Sequence, residues 1–507
     1  MLKLPLLLPL LAGDFAGWPA ELELEELRIG EFRIESLRAH WRPEGEEGGR
    51  LELGAARAAL PLGGLELRAP ALACVLRRRV EATGCEGEIR WQDGGGAVRL
   101  PLAARLAPSG LAIEFRPEHG LARLSFPPAD GEWRLDLEAL PLPFLARRFP
   151  ALLPGVRLAE GLAEGSLAPL RAGRGGLAGE LRLAGLAFDL ESGSAGASGA
   201  AVAGRVRIEP GESPVLAFRG RIEGGEWLLG PFYLELDRRP LGLEFELALG
   251  SGDAWCLERL RLEQAETFRL EGSLCGGAAP ADTRGRARLE VEDLARFLAG
   301  PAASALALAG LGGLEGSGGL AAELRLRGSD PPMLALELRE ASLRDGGGRF
   351  ALEGLHGSLA LGAHPTSRHR LAARSLALWN LGLGGWEAEL EADREGLRLI
   401  APVELRLAGG RIRIPEFEWR QPLAPERELR FGIEVVGVEL AALAPALGWP
   451  AFPGTLDGRL PRASYRESRL VLEGDSRSRP SAAGSRSSGS RSSGPSECCR
   501  RSRPISG

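Results

Sequence analysis

RELRFGIEVVGVELAALAPALGWPAFPGTLDGRLPRASYRESRLVLEGD, residues 427–475, carries the pattern that decides the fold. Leu429, Phe431, Ile433 and Val435 fall on one side of an alternating run, and Arg430, Gly432 and Glu434 fall on the other. A period of two predicts a strand with one apolar face and one wet face. The next segment, VELAALAPALG at 438–448, has helical spacing, and Gly448 stands where a C-terminal cap belongs. Pro450 and Pro453 stop the helix from continuing. Alternation resumes in TLDGRL, with Leu456 and Leu460 on one face.

The same texture runs upstream. GELRLAGLAFDLE at 179–191 puts Leu181 and Leu183 on one face, and LGLEFELALG at 241–250 does the same with Leu243, Phe245 and Leu247. Leu22 and Leu24 share a phase that slips by one before Leu27 and Ile29, which predicts bulges or tight bends. Strands of ~5–9 residues are expected, roughly 35 of them, punctuated by Gly, Pro and Asp-Gly. The run ESGSAGASGA at 191–200 reads as a loop.

Helical patches fall at 141–155, 291–305 and 438–447. Each leads into a Gly/Leu strand, at 161–165, 313–316 and 454–458, spaced by 152 and 141 residues. The reading is an internal repeat with regions 21–170, 171–320 and 321–475. The expected fold class is mainly β: an elongated repeat array of antiparallel strands curled into an open hydrophobic groove, with a few short helices. Its floor would be lined by Leu181, Leu183, Leu243, Phe245, Leu247, Leu429, Phe431, Ile433, Val435, Leu456 and Leu460.

Composition excludes several classes of partner and chemistry. The chain has 507 residues and a net charge of −5. Residues 476–507 hold twelve Ser and seven Arg against Glu497, so the remainder carries about −11, which argues against nucleic acid. That tail is read as disordered, with alternation ending at Asp475. Lys3 is the only lysine, and the arginine bias is taken as compositional. MLKLPLLLPLLAG is too short to span a bilayer, which takes ~20 apolar residues, so residues 1–20 read as signal-peptide-like or as a clipped membrane anchor.

No catalytic or metal-binding pattern stands out. His364 and His369 lie five apart in a polar turn without acidic company. Gly173 to Ala178 formally fits G-x-G-x-x-A but opens no helix, and no C-x-x-C occurs. Carboxylates alternate with Leu on wet strand faces, where solvation is the default role. No enzyme activity, cofactor or metal is therefore expected.

The block GVELAALAPALGWPAFPGTLDGRLP resembles the matching block of AsmA-like proteins of Gram-negative bacteria, the YdbH-type members above all. The resemblance implies a bridge-like β-structure whose hydrophobic groove carries phospholipid across the periplasm between inner and outer membranes. It implies a periplasmic setting with inner-membrane association. In that family β-structure continues past this block, so the Ser/Arg tail reads as a truncated or frameshifted end. The rival class is a structural or adhesive extracytoplasmic β-repeat protein without lipid cargo, marked by a dry core between two sheets.

Cysteine spacing bears on the compartment. Cys74 and Cys85 are eleven apart, and Cys256 and Cys275 are nineteen apart. Each spacing fits a bridge between neighbouring strands, which an oxidising compartment permits. The other reading is four unpaired small hydrophobes, and it weighs most for the second pair. Thiol labelling of unreduced, exported protein is expected to leave Cys74 and Cys85 unmodified; full labelling of both removes the pairing.

Overall fold

The computed structural model describes residues 19–479, apart from 30–31, 46–47, 60–65, 79–81, 94–95, 118, 128–131, 149–154, 171–175, 212, 238, 251–253, 363–364, 380, 423–426 and 467–468. The leader-like residues 1–18 and the tail 480–507, with Cys498 and Cys499, lie outside the described residues. Strands account for 72% of the structure and join into one antiparallel sheet of 31 strands, β1 (Ala20–Ile29) to β31 (Arg469–Arg479). At ~4.8 Å per strand the ribbon is on the order of 130 Å long. The mainly β, antiparallel expectation is met.

Pairing is local. Nearly every strand joins the next one in sequence, for example β12 (Leu177–Leu190) with β13 (Ala195–Glu209), and β13 with β14 (Val215–Leu229). Strands are longer than expected, reaching 15 residues in β13 and β14. Gly- and Ser-rich 195–200 is part of β13 rather than a loop, because ladders on both sides hold its backbone. Ala197 there lies opposite Phe188 and Trp227, whose rings meet edge to face at 5.8 Å. The last strand runs to Arg479, four residues past the point where alternation fades, since β30 (Thr455–Arg466) still offers partners to Ser476–Arg479.

The slip between Leu24 and Leu27 is not a register-shifting bulge, since the ladder from Leu22–Ala39 to Leu27–Ile34 keeps one register, but bulges occur further on, and they line up. In β10 (Arg134–Pro141), β11 (Val156–Pro169), β12, β13 and β14, Ala139, Gly161, Gly185, Gly199 and Gly225 take positive φ. Ladder register shifts beside them in each adjoining pair from β10–β11 to β13–β14. A second line crosses β20 (Leu314–Arg327), β21 (Met333–Asp345), β22 (Phe350–Leu361) and β24 (Leu381–Ala392) at Gly318, Glu340, Gly354 and Gly384. Each bulge bends its strand and adds twist, so a row of them creases the sheet.

Helices occupy the strand ends beyond these creases. α1 (Leu142–Arg148), the pair α2 (Leu294–Ala299) and α3 (Ala303–Leu308), and α4 (Leu440–Ala446) recur at 152 and 146 residues, counted from Leu142, Leu294 and Leu440. Among the described residues four short helices stand in the three patches expected, with residues 149–154 of the first patch outside the described residues. Asp293 caps α2 by accepting from Arg296 N at 3.1 Å. α4 starts at Leu440 because Val438 and Glu439 still belong to β29 (Glu428–Glu439). Gly448 ends it with φ +73°, donating to Pro445 O while Trp449 N donates to Ala444 O, as the sequence predicts. Gly161 leaves room for α1: a Cβ there would stand 2.9 Å from Leu142 Cδ1.

One polar clasp fixes α3 to the sheet. Asp345 is buried at the β21–β22 turn and accepts from Arg349 Nε, Nη2 and backbone N at 2.7–3.0 Å. Arg349 Nη2 also donates to Gly310 O, just past α3. The Arg349 guanidinium, then its backbone N–H, holds the Asp345 carboxyl down at about 2. Because the folded value is depressed, this contribution is full above the unfolded carboxylate value of ~3.9 and is lost as pH falls from there towards about 2. Asp345→Asn is expected to lower the melting temperature at neutral pH, with the gap to the parent shrinking below pH 4 in thermal melts.

Candidate functional site

The ladder register places apolar residues in a continuous row on one face. From β2 (Phe32–Pro43) onward the cross-strand partners read Trp41, Leu51, Cys74, Gly87, Leu102, Phe115, Ala122 and Leu137. They continue through Gly165, Leu181, Gly204, Gly220, Leu243, Leu262, Leu270, Leu289, Ala322, Leu336 and Leu359. Every member is apolar or glycine. Where Gly204 and Gly220 remove side chains, Phe218 fills the space: a Cβ on either would stand 2.8 or 2.7 Å from its Cζ. Phe218 in turn stacks on Phe245, centroids 5.9 Å apart.

The neighbouring row shows the opposite face. Glu114, Arg123 and Asp136 lie opposite one another in turn, and further along Glu244, Arg261, Glu271, Arg288 and Glu323 do the same. Arg123 reaches Glu114 at 2.9 Å and Arg261 reaches Glu271 at 3.4 Å. Arg116 and Arg123 hold the Glu114 carboxyl below its ordinary value against the burial that raises it. Such exposed pairs contribute little stability each, about 0–1 kcal/mol, but they keep this face in water.

The eleven residues expected to line a groove all lie on described strands, and each is half-buried. Leu181 and Leu243 belong to the row itself. Leu183 lies one position along, in the row Leu183, Val202, Ile222, Leu241. Phe245 and Leu247 follow Leu243 on the same face of β16 (Leu241–Leu249). Leu429, Phe431, Ile433 and Val435 share a face of β29, where Phe431 lies opposite Phe417 and Ala463. Leu456 and Leu460 join them from β30, opposite Val438 and Ile433. Alternate residues Ala388, Leu390 and Ala392 of β24 connect the two groups, since Ala388 faces Leu371 and Ala392 leads through Leu397 and Trp419 to Leu429.

The face is not uniform. Beneath α2 and α3 it packs into a core with Leu236, Val291, Leu294 and Leu298. Around β24 to β26 (Val403–Leu407) it closes further: Val403, Leu405 and Leu407 are buried together with Leu383, Leu390, Val438 and Leu443. Leu243, Leu262, Leu270 and Leu289 pack against the first of these cores and, with Phe245 and Leu336, remain half-buried. The continuous open floor expected from sequence is therefore interrupted by a packed stretch.

Both cysteine pairs sit in the sheet as disulfides. Cys74 and Cys85 join neighbouring strands, Cα atoms 5.6 Å apart, and are buried beside Trp41. Cys256 and Cys275 face each other directly, Cα atoms 3.9 Å apart. Row members such as Phe115, Leu137 and Leu270 had the alternation signal, but only the hairpin register ties them into one row. Among the described residues no group of three or more His, Cys, Asp or Glu is arranged to hold a metal ion, and no helix is long and apolar enough to cross a membrane. His369 lies near Ser367 and Ser358, and burial pushes its imidazole below its ordinary value.

No family model, curated protein or solved structure matches this chain.

Proposed function

We propose that the apolar face holds lipid acyl chains and lets them move along the sheet. The observation that carries this is the unbroken apolar row from Trp41 to Leu359, half-buried over β16 to β22 in a structure whose described strands form one sheet. A face of this kind needs a cover. Helices cover only the creased strand ends, and acyl chains supply the remainder. Burying each methylene gains ~0.8 kcal/mol, so the floor retains cargo strongly. An even row of Leu and Gly offers no deep trap along the way. Head groups then stay in water, while the Glu/Arg face keeps the ribbon soluble.

The identity of the cargo and the setting rest on the resemblance of 427–475. That resemblance points to phospholipid carried through the periplasm between the inner and outer membranes, in support of outer-membrane assembly. No nucleic acid, cofactor or catalytic step enters this reading.

Mass spectrometry of lipid co-purifying with the protein, paired with vesicle-to-vesicle transfer, tests the proposal. Phe245→Asp should lower the melting transition only modestly, through loss of the Phe218 stack, because its half-buried side chain can reach water, and should abolish transfer. Val438→Asp, placed where the parent residue is 0% exposed, should cost about 3 kcal/mol or more and unfold its surroundings. A folded parent protein that carries no lipid and transfers none is a β-scaffold without cargo, and the proposal then fails. A folded Phe245→Asp variant with normal transfer removes β16 from the path.

A further inference from the structure

We propose that the tip of the hairpin formed by β14 and β15 (Phe232–Glu235) inserts, together with α3, into the surface of a zwitterionic lipid bilayer. The contact lies at the strand ends, away from the apolar floor, and stands whether or not that floor carries lipid.

The tip breaks the pattern of the sheet. In β16 apolar residues alternate with glutamates, so one side stays wet. At the hairpin tip Leu228 lies opposite Tyr233 and Leu229 lies opposite Phe232. Successive residues of a strand point to opposite faces, so both faces of the tip are apolar. All four side chains are exposed. The root is fixed, since Leu234 and Leu236 are buried in the core below.

The helix joins the tip. Ser304 Oγ donates to Pro231 O at 2.7 Å and accepts from Tyr233 N at 2.9 Å. Leu308, one turn further along α3, is 79% exposed, and no residue of this helix is buried. Residues 297–314 and 227–234 hold no charged side chain, although 26% of the whole chain is charged. An exposed apolar surface held in place by hydrogen bonds needs a cover.

The form of the tip selects the cover. A partner of fixed shape would pack on one side of a hairpin, whereas a fluid acyl medium closes round both. Tyr233 adds an apolar ring with a polar hydroxyl, the combination that a membrane interface favours. The root then selects the lipid. Glu226 and Glu235 lie directly opposite each other, and Glu226 also accepts from the Tyr233 hydroxyl. From Glu223 to Asp237 the chain has four carboxylates and no basic residue. Like charges directly opposite are destabilising. At ~3.4 Å per residue these two carboxylates stand about 10 Å below the tip, at the depth of the head groups once the tip is in. There the ammonium group of phosphatidylcholine or phosphatidylethanolamine meets them, while an anionic surface repels them.

Flotation of the full chain with phosphatidylcholine vesicles tests this. The parent protein is expected to float, with Phe232→Glu and Leu308→Glu each weakening binding at least about tenfold. Leu249→Glu puts the same charge on a side chain 45% exposed at the far end of β16, and should leave binding unchanged. All three variants should melt like the parent, because each replaced side chain already reaches water. Vesicles of an uncharged galactolipid, which lacks the ammonium group, should bind more weakly, and replacing Glu226 and Glu235 together by Gln should erase that difference. Lipid that co-purifies with the parent should stay with the Phe232→Glu, Leu308→Glu double variant, so the tip and the floor are tested separately. A parent protein that does not float overturns the proposal, as does binding unchanged in the double variant. Equal binding to the two kinds of vesicle overturns the head-group assignment. Self-association lost in the double variant, without vesicle binding, gives the tip to a second copy of the chain and likewise overturns the proposal.

Discussion

A strand turns every second side chain to the same side, and in this chain that side is apolar in strand after strand. Everything else follows from the need to hide it. The other side alternates Glu and Arg, so the sheet cannot stack a copy of itself on that face without burying charge. With the described strands in one sheet, the apolar side is left with three covers: its own curvature, the short helices, or something from outside. The first two are visible. Leu294 and Leu298 of α2 and Leu443 of α4 are buried against strand ends. Over β16 to β22 the floor stays half-buried, and there the third cover is what the proposed lipid supplies.

Curvature has a local origin. A bulge in one strand bends that strand; bulges aligned across five strands bend the sheet. Glycine supplies most of the positive-φ positions at little steric cost, but Ala139 and Glu340 hold φ values of 48° as ordinary residues. A left-handed conformation costs a non-glycine residue about 1–2 kcal/mol, and the packing around the crease has to offset it. At Glu340 that packing includes His356 and Arg374, with ring and guanidinium nitrogens 3.6 and 3.7 Å from its carboxylate. The helices then follow the creases at nearly even spacing. What recurs at the first two helix positions is a geometry, strands bent along a line with a helix laid by the bent ends.

Alternation made the fold class legible from residues such as Leu243, Phe245 and Leu247, because a period of two admits no other regular structure. Gly448 was legible as a helix cap for the same local reason. Register was not, since it depends on which turn lengths close each hairpin. That is why Leu181 and Leu243 could be assigned to a face, while their places in one row with Phe115 and Leu359 could not be read. Segment 195–200 looked like a loop because Gly, Ser and Ala have weak strand preference on their own; the ladders of β12 and β14 overrule it. The packed stretch at β26 was hidden too. VELRL at 403–407 has the same pattern as many open strands, and only its neighbours Leu383 and Leu443 show that it is closed.

That closure matters for any cargo that travels the sheet. In the proposed transport, an acyl chain on the half-buried floor around Phe245 would slide from one Leu to the next. Each methylene that leaves one side chain meets an equivalent one ahead, so the free energy changes little along the way. At β24 to β26 the places it would occupy are already filled by Leu390, Leu405 and Leu407. Passage requires those side chains to part, and a well-packed interior resists because many small dispersion attractions must be given up at once. The depth of binding on either side, ~0.8 kcal/mol per buried methylene, does not change the height of that obstruction relative to the floor. In the proposed transport, the slow step therefore belongs to the packed stretch, where Val438 and the helix α4 hold the sheet closed, rather than to the long open floor that gives the protein its affinity.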